Sequence, residues 1–308
     1  MDVACAGILV ADLVAKPVDQ WPEWGRLELV SNMELHVGGC AANTGGTLAR
    51  LGYDVGLFGK VGEDGLGDFI LRKMNREGLD IRGVRRDQTT NTSASMVMVD
   101  SSGERSFLHY LGANATYCAE DVNWDALSEA RILHVAGSLV LPALDGQPTA
   151  ELLGKGKELG LITSLDTVWD ASGRWMSLIE PCLPNLDYFL PSLAEAQALV
   201  GLDDPQAIAE KLHEYGVKTV ALKMGEEGSF VSSGNDVRLT VPAFQVDSVD
   251  GTGAGDAFVG GFLAGVLMGM GLEETARLAN AAGAMCVTHI GATAGIPTLD
   301  ELKTFMNG

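Results

Sequence analysis

Asp250-Gly251-Thr252-Gly253-Ala254-Gly255-Asp256, running into the apolar stretch Ala257 to Leu267, is the segment on which the reading of this chain turns. Its three glycines permit backbone angles that a side chain would forbid, so successive amide N–H groups can converge on one point. Ala257, Phe258, Phe262, Leu263, Val266 and Leu267 recur at helical spacing. The spacing predicts a helix beginning near Gly253 whose free N–H groups and positive dipole end face that same point. An anion would sit there. Asp256, in the first turn, is expected to stay ionised beside the dipole and to accept a hydroxyl proton. Together these features point to phosphoryl transfer onto an alcohol. Competing motifs fail on spacing: a dinucleotide fingerprint needs Gly where Asp256 stands, and Gly255-x4-Gly260 continues into Gly261-Phe262 where a Walker loop needs Lys-Ser/Thr.

A glycine turn alone is also an ordinary helix start, so a second motif has to decide. Val37-Gly38-Gly39-Cys40-Ala41-Ala42-Asn43-Thr44-Gly45-Gly46 leads into Thr47 to Gly52. Gly38 and Gly39 let backbone approach a ligand, and Asn43 offers a donor and an acceptor suited to a vicinal diol. Read by itself, this stretch is equally a small-residue helix packed on a sheet.

Short apolar runs at Val3 to Val10, Val55 to Val61, Ile132 to Ala136, Leu161 to Leu165, Tyr188 to Leu190 and Thr219 to Met224 predict buried strands. Helical patterns cover Ala41 to Leu51, Gly67 to Glu77, Thr149 to Leu159, Leu193 to Val200, Ala207 to Tyr215, Ala254 to Met270 and Glu273 to Val287. The alternation implies an α/β fold with a mostly parallel sheet covered on both faces. Two segments break it, about 12–37 and 92–111, where Ser95 to Val99 and Arg105 to Tyr110 flank the turn Asp100 to Glu104. They predict a small antiparallel β lid.

The 308 residues, 46% hydrophobic, suffice for a large core, and one main domain over 1–308 is expected. A net charge of −20 argues against nucleic-acid and anionic-membrane surfaces, so a nucleotide would have to be held by local N–H groups and cations. Five scattered cysteines with no C-x-x-C pair give neither a disulfide framework nor a zinc site, which fits a reducing cytoplasm. No basic leader opens the sequence, and the longest apolar run carries Asp256.

The two glycine motifs, in this order, resemble the signatures of the ribokinase-like (PfkB) carbohydrate kinases, and the resemblance spans nearly the whole chain. Phe58 to Gly67 and Leu222 to Gly228 are similar to two further segments of that family. The resemblance implies a three-layer sandwich with a β lid closing over the sugar and mating with a second subunit's lid, hence a homodimer. It implies ATP and Mg²⁺, and a potassium ion at Asp250 with carbonyls near Gly291 to Thr293. Catalysis falls to Asp256 as base, with Gly253, Ala254 and Gly255 as anion hole. Substrate binding falls to Asp12, Gly38, Gly39, Asn43, Arg105 and Asn114. The nucleotide side takes Lys223, Gly225, Gly228, Thr252 and Asn280, with Glu195 organising Mg²⁺ through water. Ser192 stands where the family has Asn, Val10 where ribose-specific members have Asn, and Cys40 where they have Lys, so ribokinase activity itself is not implied. Two rivals are a nucleoside kinase, its base held among Phe107, Tyr110, Trp169 and Trp175, and a sugar- or nucleotide-binding regulator without catalysis.

Overall fold

The structure is a computed structural model that describes residues 1–234 and 237–308. In chain order the elements are β1 (Val3–Gly7), β2 (Val10–Lys16), β3 (Asn32–Gly38), α1 (Cys40–Arg50), β4 (Val55–Gly62), α2 (Gly65–Arg76), β5 (Asp80–Asp87), β6 (Ala94–Val99), β7 (Arg105–Tyr110), α3 (Trp124–Leu127), β8 (Ile132–Ser138), α4 (Gln147–Glu158) and β9 (Ile162–Thr167). There follow α5 (Met176–Ile179), β10 (Tyr188–Phe189), α6 (Leu193–Val200), α7 (Pro205–Glu214), β11 (Thr219–Lys223), β12 (Ser229–Ser233), β13 (Val237–Val241), α8 (Ala254–Leu267), α9 (Leu272–Val287) and α10 (Leu299–Met306).

Among the described residues one sheet runs β13-β12-β11-β10-β9-β8-β1-β4-β5, parallel from β11 to β5 with an antiparallel edge at β12 and β13. β1 and β8 are buried along their whole length, as expected of strands covered on both faces. One hydrophobic cluster, with Leu133, Leu165 and Ile208, fills one side, and a second, with Leu48, Leu57 and Phe262, fills the other.

The second sheet, β3-β2-β6-β7, consists of the antiparallel hairpins β2–β3 and β6–β7 joined through a parallel β2–β6 pair. The sequence predicts one strand from Val3 to Val10, but the chain divides it at Ile8-Leu9 and sends Val10 into the lid. Asn114 holds this junction, donating from Nδ2 to the Leu9 carbonyl (3.0 Å) and accepting the Leu9 N–H at Oδ1 (3.2 Å).

The register sorts the lid's side chains onto two faces. Three cross-strand rows share the inner face: His36, Asp12, Ser95 and His109; then Glu34, Val14, Val97 and Phe107; then Asn32 beside Lys16 and Val99 beside Arg105; all but Ser95 and His109 line a cavity. Outward lie Leu35, Leu13, Met96 and Leu108, with Met33, Met98 and Tyr110 around them.

Small residues let α1 and α8 meet closely. A Cβ on Gly260 would fall 2.6 Å from Thr47 Cγ2. This approach brings Asn43 of α1 to Asp256 of α8. Gly260→Ala is therefore expected to lower stability by about 1 kcal/mol net, overpacking exceeding the gain in helix propensity. A urea titration checks this, an unchanged midpoint with unchanged m-value being the contrary result.

Candidate active site

The carboxyl ends of the parallel strands converge under the two glycine turns, which is where open α/β sheets hold ligands. α8 starts as predicted. Gly253 is its N-cap in the left-handed region (φ 78°, ψ 0°), with Ala292 packed where a side chain would go. The amides of Gly255 and Asp256 lie in the first turn, where no preceding carbonyl receives them. Ala254 differs from expectation: its N–H reaches back to the Gly251 carbonyl at 3.3 Å, closing the turn.

Asp256 is half-buried, its carboxyl set deep among packed groups, and it accepts a hydrogen bond from Asn43 Nδ2 at 2.8 Å. Thr44 Oγ1 donates to its carbonyl at 3.3 Å, and the Cys40 thiol also bonds its side chain. The sequence predicts an Asp256 kept ionised by the helix dipole, and the structure corrects this. Desolvation foremost, and then the Asp166 carboxylate, raise its pKa to about 7 against the help of Asn43 and Lys223. Asp166 is buried, and that burial raises its own pKa. Its Oδ1 accepts the Gly137 N–H at 2.7 Å, and its Oδ2 lies 3.8 Å from Lys223 Nζ. Two carboxylates withdrawn from water share one ammonium, so ionising both leaves a charge uncompensated, and the pair titrates as a unit. The sequence reading does not single out Asp166, although an Asp at the carboxyl end of a predicted parallel strand is a usable signal.

Two cavities flank the Gly251–Gly255 turn. One, about 220 Å³, lies under the lid and is lined by Asp12, Gly38, Asn43, Arg105, Asp250 and Thr252 among others. The other, about 420 Å³, is lined by Lys223, Gly225, Gly228, Ala254, Gly255 and Asn280, with Phe244 and Phe258. Burial raises the Asp12 carboxyl against a hydrogen bond from Ser95. Gly38 leaves room for the Asp12 carboxylate, and Gly39 (φ 92°) turns the chain against the Ile8 carbonyl.

Several expectations change with the geometry. Asn114, expected at the sugar, is buried with both ends of its amide on Leu9, so it shapes the β1–β2 junction. Thr252, expected on the nucleotide side, lines the lid cavity and donates its N–H to Asp250 Oδ1 at 2.9 Å. Asn280 lines the Lys223 cavity, but its amide nitrogen donates to the carbonyls of Val241 and Pro242 at 2.9 and 3.1 Å. Glu195 forms a capping box with Ser192. Its Oε2 accepts the Ser192 N–H at 2.8 Å and the Thr167 hydroxyl at 3.0 Å. Ser192-x-x-Glu195 is thus a helix-start signature that the kinase resemblance obscures. Among the described residues no group of three or more His, Cys, Asp or Glu is arranged to hold a metal.

Asp250 does not fit a potassium ligand. Oδ1 accepts from Thr252 and lies 2.6 Å from Arg105 Nη1, while Oδ2 accepts the Gly291 N–H at 2.9 Å. Burial works against its ionisation, but these amides and the guanidinium hold its pKa below the usual range. A monovalent cation at the same carboxylate would stand beside the Arg105 guanidinium and be repelled by it. Among the described residues, of the aromatics expected to sandwich a base, only Phe107 lines the lid cavity. Trp169 and Trp175 pack edge to face at 4.8 Å, and Tyr110 is on the lid's outer side.

A desolvated carboxylate one residue beyond a helix N-terminal glycine turn that two cavities flank is an arrangement suited to phosphoryl transfer onto a small alcohol. The family model described as pfkB family carbohydrate kinase matches residues 1–299, and the chain belongs to that family of carbohydrate kinases. It is 30% identical over 297 residues to the 2-dehydro-3-deoxygluconokinase of Bacillus subtilis (strain 168), covering 92% of this chain and 91% of that protein. It is 31% identical over 296 residues to the ATP-dependent ribose-1-phosphate kinase of Halopiger xanaduensis, covering 94% and 93%. A putative ribokinase II from E. coli, solved with ATP and Mg²⁺, superposes with a TM-score of 0.87 at 25% identity over 99% of both chains. No helix of the described residues is long and apolar enough to cross a membrane.

Proposed function

We propose that the chain is a single kinase domain that transfers the γ-phosphoryl group of ATP to a hydroxyl of a sugar or sugar derivative. The observation that carries this is the position of Asp256: desolvated, bonded to Asn43, one residue from the turn that separates the lid cavity from the Lys223 cavity. The acceptor occupies the lid cavity, its hydroxyls met by Asp12 and Asn43. ATP occupies the other, its phosphates toward Lys223 and the Gly253–Gly255 turn. In-line attack places negative charge on the phosphoryl oxygens, which the first-turn amides of α8 and the Lys223 ammonium stabilise. Asp256 takes the hydroxyl proton, and Asn43 holds the receiving carboxylate in place. The lid excludes water, which would otherwise accept the phosphoryl group.

Mg²⁺ would arrive on the nucleotide and be bound through water and phosphate oxygens, with Glu195 as the protein carboxylate that orients it. When bound, Mg²⁺ neutralises phosphate charge. Met96, Leu108 and Tyr110 are exposed on the lid's outer face, and a second copy of the chain would cover them. Sedimentation should give a dimer, and a monomer at micromolar concentration would remove that reading.

The deciding experiment is ADP release with Mg-ATP across pentoses, hexoses, sugar acids, sugar phosphates and nucleosides. One strong responder that requires Asp256 is expected. Silence across the panel, with ATP still bound, would instead select a binding regulator.

A further inference from the structure

The lid cavity has a charge distribution that a neutral sugar does not explain. Its inner row centres on Asp12. Its outer row, four residues further along β2 and about 13 Å away along the strand, carries Lys16, with Arg105 two strands across. The middle row supplies Val14 and Val97 between them. The other carboxylates that line the cavity are already accounted for. Glu34, exposed at the rim, accepts from Asn32 Nδ2 at 2.7 Å and contacts His36 Nε2 at 3.0 Å, and these bonds lower its pKa more than the distant Lys16 charge does. Asp250 is bonded to two amides and Arg105.

Lys16 differs from both groups. It is half-buried and lines the cavity, and among the described residues its ammonium has no salt-bridge or hydrogen-bond partner. A cation held partly out of water without a bonded counter-charge is unfavourable unless an anion arrives with the ligand. Arg105 adds to this, because one terminal nitrogen lies on Asp250 and the guanidinium retains further donors for a second anion.

We propose that the acceptor is a monosaccharide carrying a terminal anion, carboxylate or phosphate, with Lys16 as its principal counter-charge and Arg105 as its second donor. This rests on the kinase reading above. The sugar hydroxyls meet Asp12 and Asn43 near the base, and the anionic end extends past the apolar middle row to the outer row. Lys16 acts on binding, so it belongs in KM and leaves the proton transfer at Asp256 to other groups.

The test compares gluconate and fructose 6-phosphate with glucose and fructose, for the wild type and for Lys16→Met and Lys16→Arg. The expected result is a preference for one anionic substrate over its neutral parent of at least about tenfold in kcat/KM. That ratio should fall at least about tenfold in Lys16→Met, mainly through KM, and largely recover in Lys16→Arg. Preference for gluconate identifies a carboxylate, preference for fructose 6-phosphate a phosphate. Turnover of neutral sugars with a ratio near one, insensitive to Lys16, overturns the acceptor class and leaves the kinase standing. If none of the four is turned over, the wider acceptor panel above decides the kinase reading, and calorimetry with gluconate and fructose 6-phosphate decides the subsite. Binding lost in Lys16→Met supports it, and no binding to the wild type overturns it.

Discussion

Asp256→Asn is expected to lower kcat by about 10²–10⁴-fold, with ATP affinity changed little, and at the same time to raise the melting temperature. The loss follows from removing the proton acceptor while keeping the Asn43 contact and the shape of the turn. The gain follows from linkage. The folded pKa of Asp256 is raised from 3.8 to about 7. Between those values the folded state binds more protons than the unfolded one, so wild-type stability falls as pH rises through that window. An amide does not titrate, so the stabilising effect of the substitution grows over the same interval and levels off above it. Activity has the opposite sign: wild-type kcat should rise through pH 7 as the carboxylate ionises. Melting curves and initial rates, each followed from mildly acidic to mildly alkaline buffer, measure both. A variant that retains wild-type turnover, or one less stable than wild type on the alkaline side of the window, contradicts the assignment.

Gly253→Ala should be nearly as damaging, for a steric reason. The residue sits at φ 78°, and its new Cβ would fall 2.7 Å from Ala292 Cα as well as against Ala292 Cβ. A left-handed alanine and a crowded contact together should cost roughly 3 kcal/mol. Relief requires the turn to move from the 292 loop, which displaces the first-turn amides from the phosphoryl group. Loss of one such donor lowers kcat by about 10²–10³-fold. The paired control is Ala292→Gly in the Gly253→Ala background. Removing the facing Cβ should restore stability in part while the left-handed strain persists. Gly253→Ala with normal turnover and an unchanged denaturation midpoint would be the contrary outcome.

Much of this architecture is legible in the sequence because the buried parallel strands are short apolar runs and the helices between them are strongly periodic. β5 is not legible in that way. Asp80-Ile81-Arg82-Gly83-Val84-Arg85-Arg86-Asp87 is an edge strand whose charges pair outward, Arg82 with Asp80 and Glu129, and Arg86 with Asp68. Its composition reads as loop. The hairpin β12–β13 escapes for the related reason of edge position, whereas the two-residue β10 lies within the predicted run Tyr188 to Leu190. In the site, the glycine turns and Asp256 are accessible because backbone geometry restricts residue choice. The amides of Asn43, Asn114 and Asn280 are not, since a side chain that bonds a ligand and one that bonds a neighbouring carbonyl have the same letter. Tertiary placement alone separates Asn43, bonded to the base, from Asn114, bonded to Leu9.

Asp250 gathers the lid strand through Arg105, the glycine turn through the Thr252 amide, and the far wall of the acceptor cavity through the Gly291 amide. An acceptor that draws on Arg105 as proposed would therefore act on the turn assigned to the phosphoryl group. Reciprocity then requires that whatever factor the acceptor imposes on nucleotide affinity, the nucleotide imposes on the acceptor. On the proposed placement of the substrates, one carboxylate would make them thermodynamic partners before any bond between them forms.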